Sequence, residues 1–316
     1  MDLKIEHLDG LFVSDKLKPY TDRAKMRRIA GKGTRLYVDE NDNRFIGATK
    51  CADLSLPKNA MRHLAIWRNK LTAEFGSVEK VDDYVSATAD YGTSVHVAIA
   101  EYFTRKKLDH TDYAAIFDEL FVVNARKKGI SQDIIDTAYY ESQKDLIAIL
   151  QFIEDYEVEP LSVEQMCRSF EIRTATPIDL PCLMNAKNYK ATPTDKRRKI
   201  LALLNIKTSK SSASTAHEYQ CAAEWICWHE TFGDYFPAHF IGTIRPTDWK
   251  DAPKYELKQY DITAERIAEV KSAMKHHLQY SKILDIPTTK TLSEMWSFQI
   301  GQKIEDGYVM SNIIRD

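Results

Sequence analysis

Two β-forming runs in this chain end on polar side chains whose types suit one reaction. The run TATPI (174–178) is followed by Asp179, and the run ILALL (200–204) is followed by Asn205-Ile206-Lys207. Strand side chains switch faces at each step, so Asn205 and Lys207 share a face while Ile206 points into the core. A carboxylate on one strand with a polar-x-Lys on its neighbour places a hard oxygen ligand for a divalent cation beside a fixed positive charge. Hydrolysis of a phosphodiester needs these parts: charge relief at the phosphate, an activated water and help for the leaving oxygen. Asp179 is the candidate bridging ligand, and Lys207 the cation near the attacking water or scissile phosphate. Asn205 contributes one neutral carbonyl oxygen where a carboxylate would bring full charge.

These residues, with their order, resemble the PD-(D/E)XK nuclease core, in which a strand ending in Asp is followed by a strand carrying Asp or Glu, any residue, and Lys. Asn205 departs from that pattern. Other pieces resemble the RecB-like and phage-exonuclease branch. Tyr91-Gly92-Thr93-Ser94-Val95-His96 is similar to its G-T-x-x-H helix motif, Glu164 stands where that branch often has a glutamate, and Tyr219-Gln220 opens a match to Q-x-x-x-Y. The match is partial: Glu224 occupies the Tyr place, and Thr176 replaces the glycine of G-x-x-D. The resemblance spans roughly residues 35–285 and implies a Mg²⁺- or Mn²⁺-dependent DNA exonuclease acting on DNA ends. It implies metal ligation by His96, Asp179, residue 205 and the Ile206 carbonyl, with Glu164 as an outer ligand or water-orienting group. Gln220 orients substrate or water, or is a surface glutamine. Two origins stand open for Asn205, an engineered Asp→Asn change or natural attenuation. On either, Asn205→Asp is expected to raise cleavage by orders of magnitude.

The elements that must position these groups are legible from periodicity. Residues 35–47 form two β-rich runs around Asp-Glu-Asn-Asp-Asn, a hairpin. Residues 59–76 carry a helical stripe of Leu64, Trp67 and Leu71, with Trp67 expected in the core. Asp90–Ser94 reads as a turn and helix start with His96 in the first turn. Two helical patterns follow over 112–129 and 131–157, the second entered by Ser131. Three strands follow, over 162–174, 175–185 and 199–209. A helix over 217–233, two strands at 237–246 and 254–263, and an amphipathic helix over 263–284 complete the pattern. The expected fold is α/β, a central mixed β-sheet of about five strands flanked by helices, a restriction-endonuclease-like core with a helical N-terminal section. The expected sections are 1–90, 91–285 and a tail, 286–316.

Whole-chain numbers narrow the classes. The 316 residues are 44% hydrophobic and 28% charged, which fits a folded chain, and the net charge of −2 gives no global field for nucleic acid. DNA, as single-stranded or duplex ends, must then be met by a local groove. The connector between the second and third strands supplies Lys187, Lys190, Lys196, Arg197 and Arg198, with Lys210 just beyond the third, as phosphate contacts; the alternative is a soluble turn with edge-protecting charge. The run DRAKMRRIAGKG (22–33) either touches phosphate or is a solvated helix face. Five cysteines, an odd number without zinc-motif spacing, point to a reduced, cytoplasmic chain of a bacterial or phage-infected cell, and none follows Cys227, so no iron–sulfur cluster is expected. No apolar run reaches membrane-span length. A homo-oligomer or a recombination partner protein remains open. So do two other functions: a non-catalytic nucleic-acid-binding protein on the same fold, and a structure-specific endonuclease. A saturable metal site involving Asp179 separates the former; intact circular DNA separates the latter.

Overall fold

The computed structural model describes residues 10–29, 36–54, 58–185, 199–208 and 215–281. From the N-terminus the chain forms β1 (Phe12–Val13), a 3-10 turn (Lys18–Ala24), β2 (Arg27–Ile29), β3 (Leu36–Val38) and β4 (Arg44–Gly47). The β3–β4 hairpin stands where the alternating runs around Asp39–Asn43 place it, and the Asp39 carboxylate ties the turn by accepting the Asn41 and Asn43 N–H groups. Next come α1 (Thr49–Leu54), α2 (Lys58–Phe75), α3 (Val78–Arg105), α4 (His110–Phe117), α5 (Val123–Lys127) and α6 (Gln132–Asp155), with a π turn at Asp118–Val122. Then follow β5 (Glu159–Pro160), β6 (Ser162–Val163), β7 (Gln165–Ser169), β8 (Thr174–Ile178), β9 (Leu180–Asn185), β10 (Lys199–Ile206), α7 (Thr215–Phe232), β11 (Phe240–Pro246), β12 (Tyr255–Gln259) and α8 (Ala264–Ser281).

The fold is α/β with mixed sheets. In place of one central sheet, the described residues form two five-stranded sheets, ordered β12-β11-β10-β9-β5 and β2-β3-β4-β8-β7, and a β1–β6 pair. The cause is local. The strands expected over 162–174 and 175–185 both bend, at Glu164 and at Asp179, and beyond the bends the hairpin β7–β8 leaves the first sheet to build the second. β9 and β10 are antiparallel, whereas β10 and β11 are parallel and joined by the α7 crossover.

β10 is buried on both faces, which is why its sequence runs almost continuously apolar. Ile200, Ala202, Leu204 and Ile206 pack into a core with Ile99, Ile149 and Phe152. Leu201 and Leu203 enter the other core, with Cys221, Ala222 and Trp228 of α7 and Phe45 and Met166 of the second sheet. Each buried Ile or Leu among them is worth roughly 1.5–3 kcal/mol of burial.

Two expectations fail here. The turn at Asp90–Ser94 does not form; α3 runs unbroken through it, capped instead by Ser77, whose side chain accepts the Lys80 N–H. The hydroxyls that suggested a cap bond back inside the helix, Thr93 to the Ala89 carbonyl at 3.0 Å and Ser94 to the Tyr91 carbonyl at 2.7 Å. The boundary drawn at residue 90 therefore lies inside a helix, and strands before it pair with strands after it, β1 with β6 and β4 with β8. Trp67, expected in the core, is 43% exposed. No helix among the described residues is long and apolar enough to cross a membrane.

Candidate metal centre

Three segments converge on one point. His96 comes from the middle of α3, Glu164 from the β6–β7 bend and Asp179 from the β8–β9 bend. One ligand atom from each lies within 4.8 Å of the others, and no other such cluster of His, Cys, Asp or Glu occurs among the described residues. The two bends face each other: the Glu164 N–H donates to the Asp179 carbonyl at 3.0 Å, one step beyond the last register pair of that hairpin, Gln165–Ile178. Glu164 holds φ +59°, the left-handed region. A side chain there costs on the order of 1–3 kcal/mol, which the surrounding ladder must offset. The strained backbone turns the Glu164 carboxylate to the His96 Nδ1, with which it is in hydrogen-bond contact. His96 Nε2 lies 3.8 Å from Asp179 Oδ2, and that same oxygen accepts the Ile206 N–H at 2.7 Å.

α3 is fixed for this task by Tyr91, whose hydroxyl donates to Asp145 of α6 at 2.6 Å. One turn before His96, Gly92 borders the cavity, where a Cβ would meet the Thr208 hydroxyl at 3.6 Å, an ordinary contact. The three groups face an open cavity of about 450 Å³, whose wall also includes Arg28, Lys207, Thr208 and Gln220.

The electrostatics are those of a site short of positive charge. Burial pushes the Asp179 carboxyl up; His96 and Lys207 pull it down, Glu164 pushes it further up, and the result stays raised. For His96, burial opposes the charged form, yet Asp179 and Glu164 outweigh it and hold the imidazolium up to about 9. Without metal, His96 is therefore charged at neutral pH, and the proton it holds stands where a cation would compensate the two carboxylates. Because its folded pKa lies above the unfolded one, this group's contribution is complete below about pH 6.5 and is lost as pH rises through about 9. In EDTA, the stability of the native chain over His96→Gln is expected to be on the order of 3 kcal/mol near pH 6 and to vanish by pH 10. Urea denaturation across that range measures it; a difference independent of pH means His96 is not charged in the fold.

The structure brings His96, Glu164, Asp179, Ile206, Lys207 and Gln220 to one cavity. It does not bring Asn205 there. Asn205 points to the α7 face, is 1% exposed, and lies one layer behind the wall, which corrects its assignment as a metal ligand. The register explains this: Asn205 pairs with Thr243 in mid-sheet, whereas Lys207 stands beyond the end of β10, its N–H on the Ile244 carbonyl at 2.9 Å. Lys187, Lys190, Lys196, Arg197, Arg198 and Lys210 lie outside the described residues.

Two residues take no role in the site from sequence alone. Arg28, within the basic run 22–33, borders the cavity. Glu224 of α7 is fully buried, and burial pushes its carboxyl up to about 7 against the pull of Lys207 and its amide partners. Its signal was a charged residue inside the apolar run CAAEWICW. Compared with protein-family models and with curated proteins, the chain matches none.

Proposed function

We propose that this chain is a divalent-metal-dependent deoxyribonuclease of the PD-(D/E)XK, RecB-like type, acting on DNA ends. The observation that carries the reading is the convergence of His96, Glu164 and Asp179, with Lys207 on the same cavity wall. The topology supports it too: an antiparallel pair, β9–β10, then a helical crossover to a parallel strand, with the acidic residue at the start of one strand and the lysine at the end of the next. That arrangement fits a restriction-endonuclease-like core.

The donor set fits Mg²⁺ or Mn²⁺: two carboxylates and an imidazole, with their ligand atoms close enough to share one ion. His96, Glu164 and Asp179 would hold it, and when bound it supplies Lewis-acid charge at the phosphate and acidifies water. The chain's own groups do the rest. The Ile206 N–H fixes the Asp179 carboxylate. The Lys207 ammonium opposes the negative charge that grows on the phosphate in the transition state. Arg28, exposed on the opposite strand system, meets a flanking phosphate without reading a base. In the net reaction the water oxygen bonds phosphorus and gives up a proton, the bond to the leaving deoxyribose oxygen breaks, and that oxygen takes up a proton.

The test is direct. Purified protein with Mn²⁺ or Mg²⁺ is expected to degrade linear DNA progressively, to leave covalently closed circles intact and to stop in EDTA. Cleavage of circles would move the reading to an endonuclease. A saturable metal site without cleavage of single-stranded DNA, duplex DNA or RNA would move it to a non-catalytic binding protein.

A further inference from the structure

The carboxylate missing from position 205 is present in space, carried by another element. Asn205 Nδ2 donates to Glu224 Oε2 at 2.5 Å, and Gln220 Nε2 donates to Glu224 Oε1 at 2.8 Å. Both oxygens of the carboxylate are thus engaged by amides, and Asn205 is left one orientation: its NH₂ toward Glu224, its Oδ1 toward Gln220, 3.5 Å away. The pair is sealed, Asn205 at 1% and Glu224 at 0% exposure. Two short routes lead from it to the cavity. Gln220 is itself on the wall, and Asn205 directly precedes Ile206, whose N–H holds Asp179.

A glutamine at 224 would accept the Asn205 amide with one end and, after a flip of Gln220, satisfy the other. It would do so without the cost of a buried charge among Cys221, Ala222, Ala223 and Cys227. Hydrogen bonding therefore does not require a carboxylate here. Asp179 and Lys207 are both among the charges that Glu224 feels.

We infer that Asn205 and Glu224 are a transposed pair: α7 carries the carboxylate expected on β10, β10 carries the amide, and Glu224 is a positioning residue for the metal centre. This rests on the metal-dependent reading above. It makes Asn205 the fitting partner of Glu224. Asn205→Asp alone would set two carboxylates in contact in a buried space where Lys207 already serves the first, so the gain expected from that substitution is replaced by a loss.

The experiment is a double-mutant cycle in Mn²⁺ affinity, by calorimetry, on native protein, Asn205→Asp, Glu224→Gln, the double exchange and Asp179→Asn, with unfolding in EDTA to establish folding. Each single exchange is expected to weaken Mn²⁺ binding by about 10–100-fold. The double exchange is expected to return it to within about threefold of native. Single exchanges that bind as native overturn the inference and leave the metal site standing; so does a double exchange that fails to recover. If a single exchange does not fold, the double exchange decides: folded and binding supports transposition, while unfolded or non-binding overturns it. Native protein that binds no Mn²⁺, or Asp179→Asn that binds as native, overturns the metal reading itself and the inference with it.

Discussion

Asp179→Asn is expected to lower cleavage by on the order of 10³-fold or more and to remove saturable Mn²⁺ binding, while leaving the protein folded. The two effects separate because Asp179 has two jobs. As a hydrogen-bond acceptor it takes the Ile206 N–H at 2.7 Å, and an asparagine carbonyl oxygen still takes that bond, without the charge assistance. As a charge it is the centre of the ligand cluster, within reach of both His96 and Glu164. Its carboxyl is raised by burial and by Glu164 more than His96 and Lys207 lower it, so the ionised form costs the fold stability above the ordinary carboxylate range. Neutralising it is therefore expected to leave the Tm in EDTA at neutral pH unchanged or higher. A site built at the expense of stability behaves in this way. Single-turnover cleavage, Mn²⁺ titration and thermal unfolding on the same preparation test it together. Cleavage within tenfold of native would remove Asp179 from the site.

How far the site could be read from sequence depended on the range of each interaction. Asp179 and Lys207 stood out because strand alternation is local: the face shared by residues 205 and 207 follows from the pleat, and the buried Ile206 between them follows equally. A short motif marks His96 but not its place in mid-helix. Thr93 and Ser94 are cap formers by type, but α3 runs from Val78 to Arg105 and makes them interior helix residues that bond back to the preceding turn. The bends at Glu164 and Asp179 are tertiary events: no glycine or proline at either position announces them, and Glu164 holds positive φ where the chain passes from β6, paired with β1, into β7 of the second five-stranded sheet. Glu224 illustrates the limit most clearly. A charged residue in an apolar helix reads as a mismatch until Asn205, 19 positions earlier, is seen donating to it. Trp67 fails for the opposite reason, since a helical stripe fixes which side chains share a face but not whether anything covers that face.

Lys207→Met is expected to lower single-turnover cleavage by about 10²–10³-fold without weakening Mn²⁺ binding. Removing a cation from the neighbourhood of Asp179 and His96 leaves more negative charge facing the ion, so affinity is expected to hold or rise. The backbone at this position is tied by its N–H to the Ile244 carbonyl, a bond the substitution leaves in place, and the methionine keeps most of the side chain's length along the cavity wall. The split between the two measurements is what identifies the role. A lysine that merely props the site would lose metal affinity and cleavage in parallel; one that meets charge developing on the phosphate loses cleavage alone. Lys207→Arg sharpens the distinction, because a guanidinium restores the charge but spreads it over a planar fork. Partial recovery of cleavage is expected there, short of native. Equal cleavage by the native, Met and Arg forms would show that the ammonium takes no part in the reaction.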